Sequence, residues 1–537
     1  MSERSERTGE PRERSERTGE PRERSERTGE PRERSERTGE PRERSERTGE
    51  PRERSERTGE ARERSERTGE ARERSERTGE ARERSAPTRS PRRLRITLVN
   101  QFFPPDLSPT AHLTSSLATH LAERGHRVTV ITGGEGYVGP RTSSTGTATG
   151  AVRVVHLWTP ALGKGSVLKR LSDYASFLVG ATVRLALMRR QDVVVSLTTP
   201  PYVVVSAMAH KLLHRRTRVV LWSMDCYPDV IERLGSRTGG GPVIHVDRPT
   251  RRDLVVAKGR DVLRPIASLR RGGPMSVVLR AVNRWVFRRL DHVVALDEPM
   301  RELLLDGYGS GPDGDRRPPA TVIPNWEPLG DHPTAPDRPA DGRWPTDPDD
   351  PELSGRFVVV YLGNLGFGHR VSTPVTAAGL IPADEDVRWL YVGGGARWEQ
   401  LAGLAATEGA ADRILQRDYV PRAQAPRIMA RAGAALIILG DEALGLMSPS
   451  KLHANLAAGL PILYVGPEGS NVDTAIARYG CGVSIRHGDA EGLAAAVCRL
   501  RDDHAWRARL SAAARRAFED AYCDRATLPQ WDAVLGT

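Results

Sequence analysis

The sequence predicts two doubly wound α/β domains facing each other across a cleft, and three observations support this. From Leu94 onward, short continuous apolar runs alternate with amphipathic stretches of helical period. A Pro-, Asp- and Gly-rich stretch without periodicity, residues 328–354, divides these runs into two series. In the second series, Gly-rich loops follow strand after strand, at the edge where a doubly wound sheet holds its ligand.

The chain has 537 residues, but its beginning contributes nothing to either series. From Ser5 to Arg84 the unit SERTGEPRER runs eight times, with Ala in place of Pro in the last three copies. The unit holds no aliphatic or aromatic residue, so it has no core to offset its ordering entropy, and residues 1–90 are expected to form a disordered tail. Each copy carries three Glu and three Arg, so the formal net charge of +11 belongs almost wholly to the remainder. A tail of balanced charge creates no net field toward nucleic acid. Aromatic residues, at 5% of the chain, are too few for base stacking between basic side chains, so a nucleic-acid partner is not expected. Cys226, Cys481, Cys498 and Cys523 have neither disulfide-like pairing nor metal-ligand spacing, which suits a reducing compartment. Nothing like a secretory signal precedes the repeat, and the longest apolar stretch, 174–188, is interrupted by Arg184. The expectation is a cytoplasmic protein, peripheral at most to the inner face of a membrane.

The first domain is expected over residues 91–327. RITLVN reads as a buried strand, QFFPPDLSPT as a turn, and AHLTSSLATHLAERG as an amphipathic helix stopped by Gly125. HRVTVITG completes a parallel unit. VRVVHLW, DVVVSLTT, RVVLWSM and HVVALDE read as further strands. Residues 236–273 form a basic insertion. After the linker 328–354, the second domain is expected over 355–518, with strands at FVVVYLGN, VRWLYVGGG, AALIILGD and PILYVG. Residues 519–537 are expected to form a helix that packs back on the first domain.

In the second domain the loops LGNLGFGHR, VGGGARW and LGDEALGLMSPSK all leave the carboxyl ends of strands. Glycine there lets backbone amides approach a phosphate closely. Lys451 opens a helix, where the dipole favours acids; a lysine and free amides that face one anion explain the placement. Lysine is almost absent elsewhere in this Arg-rich chain. No Gly-x-Gly-x-x-Gly follows the first strand and no Gly-x4-Gly-Lys-Ser/Thr occurs, which argues against a dinucleotide fold of the ordinary kind and a P-loop. The acidic runs at 347–350 and 384–386 precede strands, on the wrong edge for a metal site, and read as solvated charge.

Taken together, FFPPD, SLTTPPYVVVSA, WSMDCYPDVIERLG, VVALDEPMRELLL, VIPNWEP, YLGNLG, YVGGG, YVPRAQAPRIMARAGAALIIL and SPSKL…LAAGLPIL resemble, in order, glycosyltransferase family 4. The likeness is to the branch that builds bacterial cell-surface polysaccharides. It implies the GT-B fold, two Rossmann-like domains around a cleft, and transfer of a sugar from a nucleotide-diphosphate sugar to a hydroxyl with retention of configuration. Departure of the sugar leaves a doubly charged diphosphate, whose charge has to be met where it develops. Lys451 with the amides near Ser450 is the expected group, and the backbone of Gly363, Asn364 and Gly366 the second support. The base and ribose are expected near Tyr391 to Gly395, including Gly393 and Gly394, and near Tyr419 to Pro421. Fixed cations and helix amides make a metal unnecessary, and no cofactor is expected. The family's Glu-x7-Glu pair falls on Leu446 and Ala454, so its ribose contact is missing here; Asn455 and Glu442 are the nearest polar substitutes.

For the acceptor, Asp225 is the candidate to orient or deprotonate a hydroxyl, supported by Tyr227, with Asp106 and His112 as further candidates. The basic insertion and the helix LRAVNRWVFRRL suit an anionic headgroup region, so a lipid-linked acceptor at a membrane surface is expected. A soluble natural-product or small-polyol acceptor is the alternative, as is a scaffold that keeps the shape without catalysis.

Overall fold

The computed structural model describes residues 93–106, 108–133, 152–160, 167–234, 273–309, 317–330, 339, 341–382 and 384–537. The repeat tail, the basic insertion apart from Gly273, and most of the linker after Gly330 up to residue 340 lie outside the described residues.

The first half runs β1 (Arg95–Val99), α1 (Pro109–Glu123), β2 (Arg127–Gly133), β3 (Val152–Leu157), α2 (Val167–Leu187), β4 (Val193–Leu197) and α3 (Val204–Leu213). It continues with β5 (Arg218–Trp222), α4 (Asp229–Leu234), α5 (Pro274–Phe287), β6 (His292–Ala295), α6 (Glu298–Leu304) and β7 (Ala320–Val322). Among the described residues the strands form one sheet in the order β3-β2-β1-β4-β5-β6-β7, with every pair parallel. The order reverses between β1 and β4, which opens a crevice at the carboxyl ends of those strands.

The second half runs β8 (Phe357–Asn364), α7 (Ser372–Leu380), β9 (Val387–Gly394), α8 (Trp398–Thr407), β10 (Ile414–Arg417), α9 (Ala425–Arg431) and β11 (Ala434–Ile438). Then follow α10 (Lys451–Ala457), β12 (Ile462–Val465), α11 (Asn471–Tyr479), β13 (Gly482–Ile485), α12 (Ala490–Asp502), α13 (His504–Ala517) and α14 (Asp524–Leu535). Its sheet has the order β10-β9-β8-β11-β12-β13, again parallel, with the reversal between β8 and β11.

Strands with helices on both faces must be apolar on both, and β4 and β11 are buried at every residue. Helix ends follow local chemistry. Ser108 caps α1 by accepting the Ala111 amide, and Pro109 sits where a missing N–H does no harm. Ser470 caps α11 in the same way, and Gly480 ends that helix in the left-handed region.

Among the described residues the two halves meet at the strip after β5 and at the crossings. Asp225 bridges to Met447 as a short antiparallel pair, and the Cys226 amide donates to the Leu446 carbonyl at 3.1 Å. At the crossings, the Glu327 amide donates to Tyr522 O at 3.2 Å and the Asp524 amide to Glu327 O at 3.1 Å. Helix α14 then lies on the first half. The Trp531 ring meets Trp222 edge-on at 4.6 Å, Arg218 donates to the carbonyls of Val534 and Leu535, and Arg124 pairs with Asp532.

The acidic runs correct one expectation. They are not merely solvated: Asp350 binds Arg417 through two 2.7 Å bonds, Asp347 pairs with Arg431, and Asp386 pairs with Arg343 and Arg356. Arginines on neighbouring elements, invisible to local sequence reading, hold them.

Candidate active site

The glycine loops of the second half lie together because β8 and β9 pair in register to their ends, Gly363 opposite Gly393 and Asn364 opposite Gly394. A side chain at Gly393 would put Cβ 2.2 Å from the Gly363 carbonyl oxygen, so the backbone reaches its path only with glycine there. Tyr419 covers the loop from the next connection: its ring lies 3.1 Å from where a Gly394 Cβ would stand. Gly366 turns the β8 loop, its carbonyl accepting from the His369 amide and ring.

Lys451 reaches into this loop cluster. Its ammonium donates to the Asn364 carbonyl at 3.2 Å and lies 4.7 Å from the centre of the Tyr361 ring. Its Cε is 3.4 Å from the Cβ position of Gly363. Burial, with no carboxylate beside it, lowers its pKa to about 8. A cation so placed, beside bare backbone, is held ready for an anion. Ser450 precedes it at the helix start with its carbonyl turned to the His453 ring, while Asn455 is buried one turn on. Leu446 is fully buried, and Glu442 binds Arg370 at 2.6 Å, which directs its carboxylate toward the β8 loop's far end.

Across the cleft, Asp225 follows β5. Its amide and that of Met224 donate to Thr198 Oγ1, and its backbone pairs with Met447, four residues before Lys451. Among the described residues its carboxylate has no hydrogen-bond partner, and burial raises its pKa to about 6. Tyr227 is enclosed beside it, its phenol pushed well above the usual range by burial and by the Asp225 charge. Asp106 is buried in the turn before α1, where its carboxylate accepts the Ser108 amide; that bond shapes the turn. His112 lies on the cleft side of α1, lining a cavity with Ser450. The structure therefore brings Lys451, Gly363, Asn364, Gly393 and Gly394 into one cluster, and Asp225 onto the strip of chain leading to it.

Sequence reasoning missed Tyr361 as the platform under Lys451, and His453, Asn325 and Arg422 around the His112 cavity. Tyr361 ends an otherwise aliphatic run, VVVY, which is a weak signal for a ring with a task.

Residues 110–326 match the family model described as a glycosyl transferase 4-like domain. The chain is 28% identical over 144 residues to the probable glycosyltransferase WbjE of Pseudomonas aeruginosa, a match over 27% of this chain. It spans about a third (36%) of that relative's length. Among solved structures it is similar to the sucrose-phosphate synthase from Thermosynechococcus elongatus, with a TM-score of 0.56 and 15% identity over 82% of this chain and 98% of that one. It is likewise similar to the Anabaena protein HepE in complex with UDP and glucose, with a TM-score of 0.53 and 13% identity over 82% of this chain and 99% of the other. At that identity the likeness speaks for the fold. The fold is of the GT-B kind, two Rossmann-like α/β sheets, as the resemblance implied.

Proposed function

We propose that the protein transfers a sugar from a nucleotide-diphosphate sugar to a hydroxyl of a lipid-linked saccharide, with retention of configuration. One observation carries the reading: the half-buried Lys451 ammonium, held against Tyr361 at the mouth of the paired glycine loops. The diphosphate would sit where those loops leave backbone bare. As the sugar–oxygen bond breaks, negative charge builds on the leaving oxygen, and a fixed cation stabilises it without reorganising solvent. Asp225, poised near neutrality, would take or orient the proton of the attacking hydroxyl. Attack from the side on which the diphosphate leaves gives retention. The Anabaena relative in complex with UDP supports a nucleotide donor. Exposed apolar side chains on α2 and α5, near exposed arginines, support an acceptor held at a membrane. On this reading Lys451 and the loop amides meet the developing charge, and no metal is called for.

The test is a donor screen followed by Lys451→Ala. Thermal shift with nucleotide sugars identifies the donor through linkage. The variant is then expected to melt close to wild type and to lose about 10²–10³-fold in kcat, the range for removing one preorganised electrostatic group. An unchanged rate removes Lys451 from the mechanism, and binding of no nucleotide removes the reading.

A further inference from the structure

Between the halves lies a narrow cavity walled by His112 and Ser116 of α1, by Asn325 and Glu327 of the first crossing, and by Arg422 and His453 of the second half. His453 and Asn325 among them carry an unmet polar atom. His453 and Asn325 are each more than nine-tenths buried, and neither His453 Nε2 nor Asn325 Oδ1 has a hydrogen-bond partner.

The protonation state at His453 follows from its neighbour. Nδ1 lies 3.0 Å from the Ser450 carbonyl, which can only accept, so Nδ1 carries the proton and Nε2 presents a lone pair. Burial lowers the pKa of the ring and keeps it in this neutral form. Asn325 Oδ1 is an acceptor as well. The charged members of the wall answer each other, with Arg422 donating to Glu327 at 2.8 Å. The cavity thus offers these two acceptors, and the ion pair in its wall is internally matched, which suits a neutral ligand that donates hydrogen bonds.

We propose that the cavity takes a pair of sugar hydroxyls, with His453 Nε2 and Asn325 Oδ1 accepting one hydrogen bond each. Neighbouring hydroxyls of this kind come from the ribose of the donor nucleotide or from a hexose ring of the acceptor. The proposal rests on the glycosyl-transfer reading only for naming these two sources. It also supplies acceptors on a cleft where Ala454 has none.

The experiment compares wild type with His453→Phe, Asn325→Leu and His453→Gln, the last of which keeps an acceptor. UDP, GDP and their 2′,3′-dideoxy counterparts are titrated calorimetrically; free hexoses are then tested by thermal shift on nucleotide-saturated protein. If the ribose is the source, wild type binds the dideoxy form about tenfold more weakly, the first two variants lose that preference, and His453→Gln keeps part of it. If the hexose is the source, the nucleotides are not discriminated, and the hexose-induced shift in melting temperature disappears in the first two variants. Should His453→Phe fail to fold, His453→Ala replaces it in both arms. Retention by the variants of every wild-type preference overturns the proposal. Failure of UDP and GDP alike to bind tells against the donor reading, and the hexose arm on unliganded protein then decides the cavity by itself.

Discussion

At the scale of single residues, two groups with displaced pKa values define a working window. On the proposed reading, Asp225, raised to about 6 by burial, would act on a hydroxyl only when deprotonated, so its contribution should grow as pH rises through 6. On the same reading, Lys451, lowered to about 8 by burial, would meet a diphosphate only when protonated, so its contribution should fade as pH rises through 8. The expected kcat/KM profile is a bell with its maximum between these values, measured on free enzyme at low substrate. Asp225→Asn should flatten the acid limb and leave the alkaline one in place; a profile of unchanged shape in that variant would dismiss Asp225. Backbone geometry gives a second expectation. Gly393 has φ +146°, and its missing Cβ faces the Gly363 carbonyl, so Gly393→Ala must push β8 and β9 apart at the site. Loss of about 1–3 kcal/mol of stability, with weaker nucleotide binding, is expected from denaturant titration and calorimetry. Lys451 was legible in the sequence because a lysine at a helix start, in a chain nearly without lysine, contradicts the helix dipole. His453 was not, since one histidine on the buried side of an apolar helix reads as core until its unpartnered nitrogen is seen.

At the scale of elements, the central strands were legible and the missed ones share a place. β7, β10 and β13 were not foreseen, and each is an edge strand of three or four residues with partly exposed side chains. An edge strand lacks the two-sided burial that makes inner parallel strands continuous apolar runs. Long-range pairing of charges was equally hidden. Arg280 of α5 binds Glu232 and Asp229 of α4 at 2.5 and 2.6 Å, Ser276 donates to Glu232, and Tyr308 donates to Asp229. The clasp joins the helix before the basic insertion to the helix after it. Both carboxylates are almost fully buried, so removing the guanidinium leaves two like charges without a counter-charge, held only by the Ser276 and Tyr308 hydroxyls. Arg280→Ala is therefore expected to cost about 3–5 kcal/mol, read from urea denaturation, while Arg280→Lys recovers only part because it lacks the fork that reaches two acids. A loss under 1 kcal/mol would mean that water already reaches the pair.

At the scale of the whole molecule, one surface of the first half is unlike the rest. Val179, Val183 and Leu187 follow one another at every fourth residue on the outer face of α2, each more than half exposed. α2 packs on α3, whose Leu212 and Leu213 are also exposed, and α3 touches α5, which exposes Met275, Val277 and Val278. Arg189, Arg190, Arg215, Arg216, Arg288 and Arg289 lie exposed at the ends of these helices. Among the described residues no helix is long and apolar enough to cross a membrane, so contact of this face with a bilayer would be superficial. Apolar side chains within a basic surface gain from both hydrocarbon burial and anionic headgroups, the second term fading with salt. The full chain is expected to sediment with vesicles containing phosphatidylglycerol at low salt, and far less with pure phosphatidylcholine or at high salt. Since one buried valine is worth about 1.5 kcal/mol, Val179→Glu with Val183→Glu should lower the bound fraction at least tenfold. The same double variant should keep its rate on a water-soluble acceptor analogue, because Val179 and Val183 lie on the exposed face of α2. Equal sedimentation of variant and wild type would move the contact elsewhere. No sedimentation of wild type would shift the acceptor to a soluble sugar or polyol, for which this apolar face has no evident use.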